Sequence, residues 1–300
     1  MVKASQKLDL VVFGDTAIDH FYEVVKIPKI NEASDVVNFH SFYGGMGANT
    51  AVVANSLGLD TALVSVIGTD AEDYRNYMKN LGIKLFLKGI FGETTKSMFF
   101  KKSGKQISFF YKGVTEKLNE LDFDTDIIDS AKCIYLARTY LDLQNRVARK
   151  CRNRFLVYNP GYGVFKFDEI PKTFRQILKR CNVLVLNHHE LDYLKNIGFK
   201  LDFKLGPKVF LVTGGERGAM VHFKGAQINV PTYKRNAIDP SGAGDAFNAG
   251  FIAAHLRDYD IYDSVKMANA TASFIVEEWG CQTNLPSWQD VMTRYKKFTK

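Results

Sequence analysis

No apolar run in this 300-residue chain approaches the roughly 20 residues that a membrane helix needs. The longest, Leu8 to Gly14 and Val183 to Leu186, are of strand length, so no membrane span is expected. Met1 to Gln6 hold two lysines but neither an apolar h-region nor a small-residue cleavage site, which predicts a cytoplasmic protein. Cysteine is scarce. Cys133, Cys151, Cys181 and Cys281 stand far apart with no C-x-x-C pair, and read as reduced, buried thiols. The formal net charge is +8, but the lysines and arginines are scattered, densest at Lys296, Lys297 and Lys300, and no stretch interleaves them with aromatics as a nucleic-acid groove would. That argues against nucleic acid and leaves the charge free to draw in a small polyanion. Repeats, low-complexity tracts and a Pro-, Gly- or Ser-rich linker are missing too, so one continuous domain over residues 1–300 is expected.

Two nucleotide signatures are absent. G-x-x-x-x-G-K-[ST] occurs nowhere, which excludes a P-loop kinase, and Gly45-x-Gly47 has Thr50 where the third glycine of a dinucleotide fingerprint belongs. A nicotinamide-dependent oxidoreductase fails on that ground.

What the chain does have is a 46% hydrophobic composition arranged as strands alternating with helices. Apolar runs at Leu8 to Phe13, Thr61 to Ile67, Cys133 to Ala137, Phe155 to Asn159, Val183 to Asn187 and Val209 to Thr213 read as strands covered on both faces. Helical spacing follows at Ala48 to Leu57, Asp70 to Leu81, Ile170 to Lys179 and Glu190 to Lys195. This order predicts an α/β fold with a doubly wound, mostly parallel sheet, whose ligands bind beyond the carboxyl ends of the strands. Two blocks break the pattern. Residues 21–43 and 95–112 alternate like half-exposed antiparallel strands, the second around a Ser103-Gly104 turn, and together predict a small β-sheet lid.

The strongest local signal is Asp239-Pro240-Ser241-Gly242-Ala243-Gly244-Asp245, which runs into the helical segment Asn248 to Leu256. A glycine turn at a helix N-terminus gathers backbone N–H groups and the positive dipole end at one spot, a ready anion site. Asp245, in the first helical turn where the dipole favours its ionised form, is placed to take a proton from a hydroxyl attacking a phosphate held there. An ordinary capped helix would also carry an Asp at that position. Gly44-Gly45-Met46-Gly47-Ala48-Asn49 is a second turn into a helix, which lets a ligand approach bare backbone. Asn187 and Glu190, three apart at a strand end, suit either a water-bridged Mg²⁺ or a plain capping box, and the capping box is slightly preferred. His188 and His189 lack a third metal ligand. Thr213-Gly214-Gly215-Glu216-Arg217-Gly218 is read equally as a nucleotide loop or a hairpin turn.

In this order and at these separations, the four motifs resemble those of the ribokinase-like, or phosphofructokinase B, family of carbohydrate kinases, from about Leu8 to Pro286. The resemblance implies a ribokinase-like sheet with a β lid, ATP as donor, Mg²⁺, a K⁺-type monovalent cation near the anion hole, and a homodimer joined through the lid. Residue by residue, it implies Asp245 as base with Gly242, Ala243 and Gly244 as anion hole. Asp19, matching G-x-x-x-x-D from Gly14, would hold substrate hydroxyls with Gly44, Gly45 and Asn49, and Asp15 is the lesser candidate. Asn187 and Glu190 would serve metal and phosphates, Thr213, Gly215 and Gly218 the nucleotide, Asn269 the adenine, and Asp239 the monovalent cation.

The chain departs from the family pattern at Asp73, where a glycine is usual, and at Asn159-Pro160-Gly161, which lacks a carboxylate. Pro240 replaces the Thr of sugar kinases, as in some nucleoside and inositol kinases. The expected substrate is a small sugar, with a nucleoside (or inositol) as the alternative, to which Pro240 and lid aromatics such as Phe99, Phe109 and Phe110 point. A non-catalytic regulator on the same scaffold would be expected to lose Asp245, Gly242 or Gly244, and all three are present.

Overall fold

A computed structural model describes residues 7–103 and 105–298. Gly104 of the expected turn, residues 1–6 and Lys300 of the basic terminus lie outside the described residues. In chain order the elements are β1 (Leu8–Phe13), β2 (Ala17–Val24), β3 (Val36–Gly44), α1 (Met46–Ser56), β4 (Thr61–Gly68), α2 (Glu72–Asn80), β5 (Lys84–Ile90), β6 (Thr95–Lys102) and β7 (Lys105–Tyr111). There follow α3 (Asp126–Ser130), β8 (Ala131–Ala137), α4 (Leu141–Lys150), β9 (Phe155–Asn159), α5 (Lys172–Leu178), β10 (Val183–Asn187), α6 (His188–Asn196), β11 (Val209–Thr213), β12 (Ala219–Phe223), β13 (Ala226–Val230), α7 (Ala243–His255), α8 (Ile261–Ile275) and α9 (Trp288–Phe298).

A nine-stranded sheet runs in the order β13-β12-β11-β10-β9-β8-β1-β4-β5. It is parallel from β5 to β11 and antiparallel at β12 and β13. In β1, Leu10 and Val12 pack into one apolar core while Val11 and Phe13 pack into the other, all fully buried. Successive side chains of a strand point to opposite faces, so a continuous apolar run is what a sheet covered on both sides requires. A Leu→Ala change at Leu10 would cost about 2–5 kcal/mol.

The four-stranded sheet, in the order β3-β2-β6-β7, is mixed: β2 pairs antiparallel with β3 and parallel with β6. It starts earlier than expected, since β2 begins at Ala17 and carries Asp19. Three strands of the large sheet were not anticipated. β5 is an edge strand with Lys84 and Lys88 among its apolar residues, and β12 with β13 forms the opposite, antiparallel edge. Edge strands carry polar residues on an open side, which blurs the apolar run. All four cysteines are buried and free, as expected. Among the described residues no helix is long and apolar enough to cross a membrane.

Candidate active site

Two glycine turns meet beyond the carboxyl end of β1. At the first, Gly45 begins α1 with φ +98°, and a Cβ there would lie 2.7 Å from the Asp15 carbonyl oxygen, so only glycine fits. Gly44 pairs with Ala17 across the small sheet, and a Cβ on it would fall 2.0 Å from the Asp19 carboxylate. Asp19 and the bare backbone of Gly44 therefore share one wall. Burial pushes the Asp19 carboxyl up to about 6, opposed by a Ser97 hydrogen bond and reinforced by the charge of Asp15. The Cys281 thiol also donates to Asp19, at 3.7 Å.

At the second turn, Gly242 precedes α7 in the left-handed region (φ +74°), and a Cβ there would lie 2.6 Å from the Cys281 Cβ. Asp245 sits in the first turn of α7, buried to 7% exposure, and accepts a 2.9 Å hydrogen bond from the Asn49 side-chain amide. The Asn49 carbonyl accepts from Gln282 Nε2 at 2.8 Å, and the same amide reaches Tyr74 Oη, which donates to the Gly44 carbonyl. A polar chain thus joins the candidate base to the candidate substrate turn. From its place in the first helical turn, Asp245 is expected to be kept ionised by the helix dipole. Burial outweighs it: the carboxyl is pushed up to about 8, with Asn49 and then Arg138 opposing and the charges of Asp15 and Asp19 adding to the rise.

On the far side of Gly244 opens a cleft of about 490 Å³, lined among others by Thr213, Gly215, Gly218, Lys234, Arg235 and Asn269, together with Ala243 and Gly244. A Cβ on Gly244 or Gly215 would meet nothing within 4 Å, so both leave room over bare backbone. The loop from Thr213 to Gly218 is at once a hairpin turn between β11 and β12 and a wall of this cleft. Asn269 lines the cleft while its amide holds the Val230 and Pro231 carbonyls at 3.2 and 3.1 Å.

Asn187 and Glu190 form the capping box in full. The Asn187 side-chain carbonyl accepts from the Glu190 N–H at 2.9 Å, and the Glu190 oxygens accept from the Asn187 backbone and side-chain amides at 2.9 and 2.7 Å. Burial pushes the Glu190 carboxyl up to about 7. Asp239, expected to hold a monovalent cation, has both oxygens engaged by protein donors: Lys101 Nζ at 2.5 Å and the Ser241 N–H at 3.1 Å on one, the Gly280 N–H at 3.2 Å on the other. Among the described residues no group of three or more His, Cys, Asp and Glu is gathered as metal ligands would be.

Residues 7–288 match the pfkB family of carbohydrate kinases. The chain belongs to that family. It is 34% identical to a nucleoside kinase of Methanocaldococcus jannaschii over 297 residues, 95% of each chain. It is 30% identical to a nucleoside kinase of Methanothermobacter thermautotrophicus, covering 97% of this chain and 96% of that one. The crystal structure of the M. jannaschii enzyme superposes with a TM-score of 0.86 over 98% of this chain and all of that one, at 31% identity. A nucleoside kinase of Burkholderia thailandensis, solved in complex with inosine, shares the fold (TM-score 0.84, 96% of this chain and 98% of that one) at 20% identity.

Two groupings of residues in this kinase were not anticipated, although Asp15 and Phe110 were each named singly. Asp15 is fully buried and ion-paired with Arg138, which follows β8 with φ +65° and also donates to the Tyr162 hydroxyl. Tyr162 in turn stacks on Phe110 of the small sheet, centroids 4.6 Å apart and planes at 15°. The second group is the segment 279–282, which touches Asp239, Asp19, Gly242 and Asn49 through Gly280, Cys281 and Gln282. Neither carries a motif. Arg138 offered only a lone Arg after a strand as its signal, and the second group follows a helix without punctuation beyond Gly280.

Proposed function

We propose that this kinase transfers the γ-phosphate of ATP to a hydroxyl of a nucleoside, reversing the preference for a simple sugar drawn from the sequence. The observation that carries it is the position of Asp245, with the acceptor wall of Asp19, Gly44 and Asn49 on one side and the Gly244 cleft on the other. Full-length similarity to two nucleoside kinases supports the acceptor class, as does the aromatic Phe110–Tyr162 pair, a surface on which a base can stack.

On this reading Asp19 and Asn49 align the acceptor hydroxyl and Asp245 takes its proton. The turn from Gly242 to Gly244 presents N–H groups to the transferring phosphate, since the first N–H groups of a helix lack intrahelical acceptors. The open space over Gly244 and Gly215, with Lys234 and Arg235 on the same cleft, fits a nucleotide polyanion. Each Glu190 oxygen has one protein donor and so a spare lone pair, which fits a Mg²⁺ ion met through water by Asn187 and Glu190. Mg²⁺ when bound neutralises charge on the phosphates. Both sheets act as one kinase domain, the small sheet serving as a lid. The exposed apolar residues Val37 and Phe39 on β3 and Ile107 and Phe109 on β7 suit a second copy of the chain.

The test is ATP consumption with Mg²⁺ across nucleosides, pentoses, hexoses and inositol, with Asp245→Asn as control. A nucleoside response lost in the control supports the reading. A response only to free sugars overturns the acceptor class.

A further inference from the structure

Lys101 lies near the end of β6, on the small sheet, yet its side chain is only 15% exposed. The ammonium sits 2.5 Å from the fully buried Asp239 carboxylate, 4.6 Å from the Phe21 ring centroid and 4.5 Å from that of Trp279. Lys96 on the same strand pairs instead with Glu93, whose side chain is 53% exposed. A buried ammonium is costly unless paired and enclosed, and here a carboxylate and two aromatic faces do both. Asp239 also accepts from Ser241, which leads into the Gly242–Gly244 turn, and from Gly280 in the segment that packs on Gly242. One carboxylate thereby ties together the small sheet, the phosphate turn and the segment 279–282.

We propose that Lys101 is a positioning residue for phosphate transfer, a tethered cation that docks on Asp239, holds the small sheet over the Gly242–Gly244 turn, and occupies the place where a free monovalent cation was expected. The proposal rests on the phosphotransfer reading above. Because the cation is covalently part of the lid, closure of the sheet and ordering of the turn become one event. The wild-type enzyme then needs no added K⁺, whereas loss of the side chain opens a slot of alkylammonium shape beside Asp239.

The experiment uses Lys101→Ala, and Lys101→Met as the variant that keeps the bulk of the stem, in a Trp288→Phe background where Trp279 is the remaining indole of the two in the chain. Trp279 emission is expected to shift in both Lys101 variants and in Asp239→Asn. Turnover is expected to fall roughly 10- to 100-fold in Lys101→Ala with a smaller change in acceptor KM. Added propylammonium or K⁺ should restore part of that loss in a saturable way without raising wild-type turnover. Wild-type turnover in Lys101→Ala, or a loss that no cation restores with emission unchanged, overturns the proposal. If the wild-type protein phosphorylates no acceptor, the functional reading falls by itself. Emission of the unliganded proteins then decides the docking alone: a shift upholds it and identical spectra overturn it.

Discussion

The Asn49 amide donates to the Asp245 carboxylate across 2.9 Å, joining residues 196 positions apart in the chain. The contact fixes the carboxylate relative to α1 and the glycine turn that opens it. Asp245→Asn keeps the shape and removes the proton acceptor, so kcat should fall about 10²- to 10⁴-fold while the KM values for acceptor and ATP stay nearly constant. Steady-state kinetics check this, and an unchanged kcat would remove Asp245 from the chemistry.

The pH profile follows from the same residue. Its carboxyl is raised from the ordinary 3.8 to about 8, so kcat/KM should climb by about tenfold per pH unit up to about pH 8. Asn49→Leu removes a hydrogen bond that favours the ionised form and should move the limb to higher pH. The folded state binds this proton more tightly than the unfolded chain, so the contribution to stability is full below about pH 4 and is lost as pH rises to about 8. Urea midpoints of Asp245→Asn should lack that part of the decline, and parallel profiles for the two proteins would contradict the assignment.

Gly244 and Gly242 should respond differently to a side chain. A Cβ on Gly244 meets open space in the cleft, so Gly244→Val should raise the KM for ATP while thermal stability holds. Gly242→Ala places a Cβ against Cys281 at positive φ and should lower stability. Calorimetry on both variants separates the effects, and equal melting shifts would show that the space over Gly244 is not free.

Arg138 compensates a carboxylate with no solvent access. Arg138→Met strands Asp15 and should cost about 3–5 kcal/mol in urea unfolding, partly recovered in the Asp15→Asn double variant. A cost below about 1 kcal/mol would mean that the Arg138–Asp15 pair does not hold the fold together.

Phe110 should distinguish nucleosides from sugars. Removing one face of its stack with Tyr162 in Phe110→Ala should raise the KM of a responding nucleoside but leave any activity on free ribose unchanged. Equal losses on both acceptors would place the base elsewhere.

Much of this architecture was legible because the responsible residues carry local signals. β1 from Leu10 to Phe13 and β10 from Val183 to Leu186 are unbroken apolar runs, since both faces of each are covered. The two glycine turns announce themselves by composition, and both lead into helices as expected. β5 and the β12–β13 hairpin were hidden because edge strands mix charge into the apolar pattern. In the site, Asn49 and Asp245 were each visible but their contact was not, because only the tertiary fold brings α1 onto α7. The ionisation of Asp245 was misjudged because the dipole is a local property whereas burial is a global one. Lys101 resembled any other lid lysine until Asp239, 138 positions away, was found beneath it.

Asp19 rides on β2, the strand that pairs with β3 and β6 at the centre of the small sheet. On the proposed reading, the anchor for the acceptor and the cover over it are therefore one piece of chain. If the sheet swings away, the anchor leaves with it, and a water molecule wandering into the open cleft finds nothing to hold it in line with the phosphate. On the proposed reading, the strand that holds the proper acceptor would also guard ATP against idle hydrolysis.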